Sequence, residues 1–137
     1  MILLNNTILR LDYDPSTDIL AVDDPDLHYF LLTEIKHKID TLVNTVINYD
    51  VKRVLLDSTK TVISVREADS RETALYLAAG LMKSRVRKVA RVQSTCAAVE
   101  TTAQLNFRHV KDTLLLSFQV QSFASRASAR QWLVNDK

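Results

Sequence analysis

Short apolar runs separated by single helix-length stretches set the outer limits on what this chain can fold into. Thr7 to Tyr13 alternates Leu9, Leu11 and Tyr13 against Ile8, Arg10 and Asp12, the period of a strand with one buried face. Asp14-Pro15-Ser16-Thr17-Asp18 has type I turn chemistry, aspartate opening it and proline next, and leads into a second strand from Ile19 to Val22. The two read as a hairpin. After Pro25, Leu27, Leu31, Ile35, Ile39, Leu42, Val46 and Tyr49 recur three or four residues apart with charged residues between them, which predicts a long amphipathic helix.

The second half repeats the alternation. Arg53 to Thr59 is a short apolar run, Val54-Leu55-Leu56, that ends in turn-forming residues, and it reads as a buried strand. A helix follows between Val65 and Ser84, opened by a capping box at Ser64 and Glu67 or at Asp69 and Glu72. Arg87 to Ser94 is a strand, Cys96 to Phe107 a helix, Leu114 to Phe123 a strand, and Ser125 to Val134 a last helix with Ser125 as N-cap. The order is ββαβαβαβα. Strands separated by single helices are normally parallel and adjacent, with right-handed crossovers. The expectation is therefore an α/β fold, mostly parallel with an N-terminal antiparallel hairpin, its helices mainly on one face. The other face then carries a polar row: Arg10, Asp12, Arg53, Asp57, Arg91, Gln93, Ser117, Gln119 and Gln121.

Composition removes several chemistries. Gly80 is the only glycine, so neither a P-loop nor a dinucleotide fingerprint can be built, since both need several glycines for backbone amides to approach phosphate. A Gly-x-Ser-x-Gly elbow fails for the same reason. His28, His37 and His109 are scattered and Cys96 has no second cysteine at ligand spacing, so no metal or cofactor is expected. Asp57, His28 and Cys96 are the residues an enzyme would have to use, and nothing in their spacing joins them, so the chain is read as a non-enzyme. Cys96, near a helix start, reads as a small buried hydrophobe. The length fits one domain over residues 1–137. Met1-Ile2-Leu3-Leu4 runs straight into Asn5 and Asn6, too short for a signal peptide or a membrane span. The lone Cys96 cannot form an internal disulfide, so a cytoplasmic setting is expected.

Charge is uneven along the chain. Residues through Asp50 carry nine acids against three bases, and the remainder reverses the balance to leave a net charge of +2. Lys83, Arg85, Arg87, Lys88 and Arg91 form the densest basic run. It lacks the interleaved aromatics that would stack bases, so a solvated helix end is the favoured reading over nucleic acid.

The strand ending at Asp57, the stretch from Leu81 through Val89-Ala90-Arg91-Val92 and the close Phe123-Ala124-Ser125-Arg126-Ala127-Ser128-Ala129-Arg130-Gln131-Trp132-Leu133 together resemble the STAS-like, SpoIIAA-like superfamily. The likeness is to its small stand-alone bacterial members, which are grouped with the CRAL-TRIO lipid-binding fold. Ala129, Trp132 and Leu133 lie at i, i+3 and i+4 and share a helix face, so the tryptophan is expected to latch the last helix onto the sheet.

That resemblance implies a non-enzymatic module acting through protein contacts, with an unknown protein partner or a second copy of itself. The polar face (Arg10, Asp12, Arg53, Arg91, Gln119, Gln121) or an edge strand would form the contact surface. STAS-type antagonists of anti-sigma factors carry Asp-Ser-Ser-Gly after the third strand, with a phosphorylated serine. Here Asp57 is followed by Ser58-Thr59-Lys60, so the partner-switch mechanism does not carry over. The alternative is a small ligand or lipid head group at the C-terminal edge of the sheet, around Asp57, Ser58 and Thr59.

Overall fold

The computed structural model describes residues 2–5, 10–23, 32–59 and 67–135. It opens on a strand that the alternation from Thr7 onward does not reveal, β1 (Ile2–Asn5), antiparallel to β2 (Arg10–Asp14) with a register shift between Ile2 and Leu4. Its apolar run, Ile2-Leu3-Leu4, is continuous and only three residues long, so it has no period to read. β3 (Ile19–Asp23) pairs antiparallel with β2, Asp14 opposite Ile19. The turn between them works as its chemistry asks: the Asp14 carboxylate accepts from the Ser16 N–H at 3.0 Å, and Asp18 takes a positive φ of 54°. Asp18 then accepts from the Tyr13 hydroxyl at 2.8 Å.

Helix α1 (Leu32–Asn48) ends in a Schellman motif. Asp50 is left-handed at φ 52°, its N–H donates to the Ile47 carbonyl at 3.2 Å, and the Val51 N–H donates to the Val46 carbonyl at 3.0 Å. Val46 and Val51 are both fully buried, which supplies the apolar contact of that motif. The periodic residues Leu27 and Leu31 lie outside the described residues, as do Ser64 and Val65. β4 (Arg53–Asp57), α2 (Glu67–Leu81) and β5 (Lys88–Val92) follow. Because α2 starts at Glu67, Asp69 falls inside the helix and does not open a capping box.

Helix α3 (Ala97–Thr113) runs six residues past its expected end at Phe107. Asn106 and Val110 are buried one turn apart, so the helical stripe simply continues. Leu114 is then an extended C-cap whose N–H donates to the Val110 carbonyl, and β6 is correspondingly short (Gln119–Phe123). Helix α4 (Arg126–Val134) has Ser125 as N-cap, its hydroxyl accepting from the Ser128 N–H at 3.1 Å.

The sheet order is β1-β2-β3-β4-β5-β6, with β3 through β6 parallel. This is the expected α/β architecture with its N-terminal antiparallel hairpin, preceded by β1, and the topology matches a SpoIIAA-like, STAS-like fold. One face holds Leu11, Leu20, Val22, Val54 and Val89 against Ile35, Ile39, Leu42 and Val43 of α1 and Leu81 of α2. Helix α3 lies beside α2 on that side. At the α1–α2 crossing Gly80 has no substitute of equal size: a Cβ there would stand 2.8 Å from Val43 Cγ2.

The opposite face is not left open. Helix α4 packs across β4, β5 and β6, and Ile19, Leu55, Ala90 and Val92 close a second core with Ala129 and Leu133. The Trp132 ring is only half-buried, tilted against Phe123 at 5.5 Å with the Lys88 ammonium 4.9 Å above it. Leu133, fully buried, is the true anchor. Leu133→Ala is therefore expected to cost about 3 kcal/mol in urea unfolding, and Trp132→Ala about 1 to 2 kcal/mol, half of a full side-chain burial. Gly80→Ala is expected to lower stability by about 1 kcal/mol, overpacking outweighing the gain in helix propensity. Adding Val43→Ala to Gly80→Ala should cost less than Val43→Ala alone, a coupling that a double-mutant cycle reads directly.

Candidate functional site

Parallel strands deliver their last residues to one edge of the sheet, and here β4 delivers Asp57, Ser58 and Thr59. The Asp57 carboxylate accepts from the Thr59 N–H at 2.9 Å and from the Thr59 hydroxyl. Its other oxygen takes the Arg126 guanidinium at 2.8 Å, and Arg126 also reaches Asp23 at 3.3 Å. Asp23 lies 4.0 Å from Arg10, so charge alternates along the edge from β2 to α4. Partial burial pushes the Asp57 carboxyl up, but the Thr59 hydrogen bonds and the Arg126 guanidinium outweigh it and hold the group below the usual carboxylate range.

Ser58 turns inward. It is 4% exposed, and its N–H donates to the Val92 carbonyl at 3.1 Å. Thr59 is tied to the next crossover as well, its carbonyl accepting from the Thr95 hydroxyl at 3.3 Å. Next to it, Ser94 Oγ accepts from the Cys96 N–H, and the Ser94 N–H donates to Glu100. Glu100 is ion-paired with Arg91 at 2.8 Å and accepts from Gln104, contacts that overcome its burial and keep its carboxyl low. Asp57, Ser58 and Thr59 thus share one edge, but their hydrogen-bonding capacity is directed into the protein.

The other candidate residues divide between the two faces. By register, Arg10, Asp12, Arg53, Asp57, Gln119 and Gln121 lie on the α4 face. Arg91 lies on the opposite face, because it pairs with Leu56 on β4 and reaches α3. An alternation started at Arg91 therefore predicts the wrong side, since Val89 and Val92 are both buried and β5 has no polar row to read. Cys96 is the N-cap of α3 with no side-chain cap hydrogen bond, and His28 is outside the described residues. Lys88, from the basic run, donates to the Trp132 and Asn135 carbonyls and so caps α4 at its C-terminus.

Arg126 and Glu100 were not singled out by sequence. Arg126 did carry a signal: a cation in the first turn opposes the helix dipole and implies a carboxylate nearby.

A different feature lies at the side of the sheet. β6 is an edge, and along it runs a groove of about 490 Å3 lined by Phe107, Lys111, Leu114, Leu116, Val120 and Trp132, among others. Leu115, also in its wall, is 93% exposed. The Gln119 N–H donates to the Arg87 carbonyl, and the Phe123 carbonyl accepts from the Gln93 N–H. Alternation then turns the N–H and C=O of Val120 and Ser122 away from β5, toward the open side. The strand carries no charged residue, no proline and no register shift over its five pairs with β5. The far edge, β1, has a register shift of the kind that discourages pairing.

Among the described residues, no group of three or more His, Cys, Asp or Glu could hold a metal ion, and no helix is long and apolar enough to cross a membrane. No model of a known protein family matches the chain, and no curated protein matches it either.

Asp57 gives a pH test with a definite sign. Its carboxyl is lower in the folded state than in the unfolded chain, so its contribution is complete above the ordinary carboxylate pKa and fades as pH falls through the folded value. Asp57→Asn is expected to cost about 1 kcal/mol at pH 7, a partly exposed charged contact. Urea titrations from pH 7 to pH 2 should show the gap between the two proteins closing at the acid end.

Proposed function

We propose that this chain is a non-catalytic interaction module of the STAS-like, SpoIIAA-like kind, working through protein contacts along the free edge of β6. The observation that carries this reading is the contrast between the two outer strands of the sheet. β1 has a register shift, whereas β6 is regular, uncharged and flanked by a groove of mixed character whose wall includes the exposed Leu115. Unpaired strand edges of that kind associate unless charge, proline or a bulge prevents it, and an added strand draws its affinity from main-chain hydrogen bonds.

The polar face is the weaker contact surface, because α4 crosses it over β4 to β6. The alternative at Asp57, Ser58 and Thr59, a small ligand or lipid head group, would first have to displace Arg126 and the Thr59 hydroxyl from the Asp57 carboxylate. Even partly exposed, charge-assisted contacts of this kind cost free energy to break without replacement.

Ser122→Pro tests the edge. Proline at 122 removes an N–H that points away from β5, so the ladder to β5 survives while an added strand loses a bond. The variant is expected to keep its circular dichroism and to melt within a few degrees of wild type. Its association, read as mass by light scattering and as partner protein retained on affinity capture from the source cell, should fall well below wild type. Association unchanged in the folded variant would contradict the reading.

A further inference from the structure

We infer that the strand added at β6 is β6 of a second copy of this chain, antiparallel, about a two-fold axis at Gln121. The inference rests on the proposal that β6 is the contact edge. Val120 and Ser122 are the residues whose N–H and C=O point outward, and two outward residues two apart pair with themselves reciprocally only in one antiparallel register. Val120 of one copy then exchanges both hydrogen bonds with Ser122 of the other, and the reverse. Gln121 falls opposite Gln121, and Gln119 opposite Phe123.

Side-chain chemistry suits that register. Nothing charged is brought opposite a like charge, because the strand reads Gln-Val-Gln-Ser-Phe. The two Gln121 amides, exposed on the α4 face, each offer a donor and an acceptor and can bond to one another. Val120 is half-buried on the groove side and would be covered further by the incoming strand. Lys111 is a charge in the groove wall, at the end where the chain enters β6. A two-fold through Gln121 sends the two copies of that end in opposite directions. Six strand residues separate them, about 20 Å at ~3.4 Å each, well beyond the ~8 Å screening length of physiological salt. The lysines therefore do not oppose the pairing. β1 is a poorer mate for β6, because its register shift interrupts the regular ladder such pairing needs.

The axis position makes the test sharp. In a Cys96→Ala background, Gln121→Cys puts two thiols in a non-hydrogen-bonded pair with Cα atoms about 4.5 Å apart, inside the range a disulfide accepts. Gln119→Cys, one exposed position away on the same face, sits about 14 Å along the strand from its counterpart and cannot bridge. Mild oxidation should convert most of the Gln121→Cys protein to a covalent dimer on non-reducing gels and little of the Gln119→Cys protein. Light scattering of wild type should give twice the chain mass of 15.6 kDa. Gln121→Lys should weaken the dimer about tenfold or more by setting lysine opposite lysine, with melting of the monomer unchanged.

Equal cross-linking at 119 and 121, or a concentration-independent wild-type monomer, overturns the self-pairing. The edge proposal would survive a monomer if Ser122→Pro still removed a captured protein. A dimer indifferent to both Gln121→Lys and Ser122→Pro would overturn both.

Discussion

Burial of β4 and β5 from both sides is the constraint on which the rest of this structure depends. Val54 and Val89 face α1 and α2, while their neighbours Leu55 and Ala90 face α4, and all four are at most 3% exposed. A strand buried on both faces loses the option of an alternating sequence, so it reads as a continuous apolar run. It also needs helices on two sides. Three arrive as crossovers on one face, and the fourth comes only after β6, when the chain folds back over the strands it has just completed. The last helix is thus a second wall for the sheet and not a trailing segment. Its seal depends on Ala129, small enough for close approach, and Leu133, with Trp132 spread over the rim.

Most of this was legible because each element has a local signature that agrees with the global one. The Asp14-Pro15 turn, the long periodic stripe through Ile35, Ile39, Leu42 and Val46, and the Ser125 cap each specify their element within a few residues. What was not legible involved residues whose role is decided at a distance. β1 gains its identity only from pairing with β2. The Leu114-Leu115-Leu116 run looks like a strand, yet α3 reaches Thr113 and the extended ladder waits until Gln119. The side of the sheet on which Arg91 sits follows from register with β4, which a single strand of mixed pattern does not encode.

The candidate edge shows the same division. Asp57, Ser58 and Thr59 were identifiable as hydroxyl and carboxyl groups following a strand, at the end of the sheet where open α/β folds keep their ligands. Their occupation by Arg126 was not, because that contact joins residues 69 apart in sequence. The lock has a structural consequence. It ties the first turn of α4 to the ends of β3 and β4, fixing the helix that seals the second face. Chemistry at this edge would require undoing part of that seal, whereas the pairing proposed at β6 would use main-chain groups that, by alternation, point away from β5.

Amide hydrogen exchange along β6 addresses that distinction most directly. The Gln119 and Gln121 amides face β5 and should be slow at any protein concentration, by the alternation that the Gln119 bond to Arg87 anchors. If the free edge is a contact surface, the Val120 and Ser122 amides should also be slow at high concentration and quicken on dilution. Val120 and Ser122 amides that exchange at the rate of open backbone at every concentration, beside protected Gln119 and Gln121, would contradict the account.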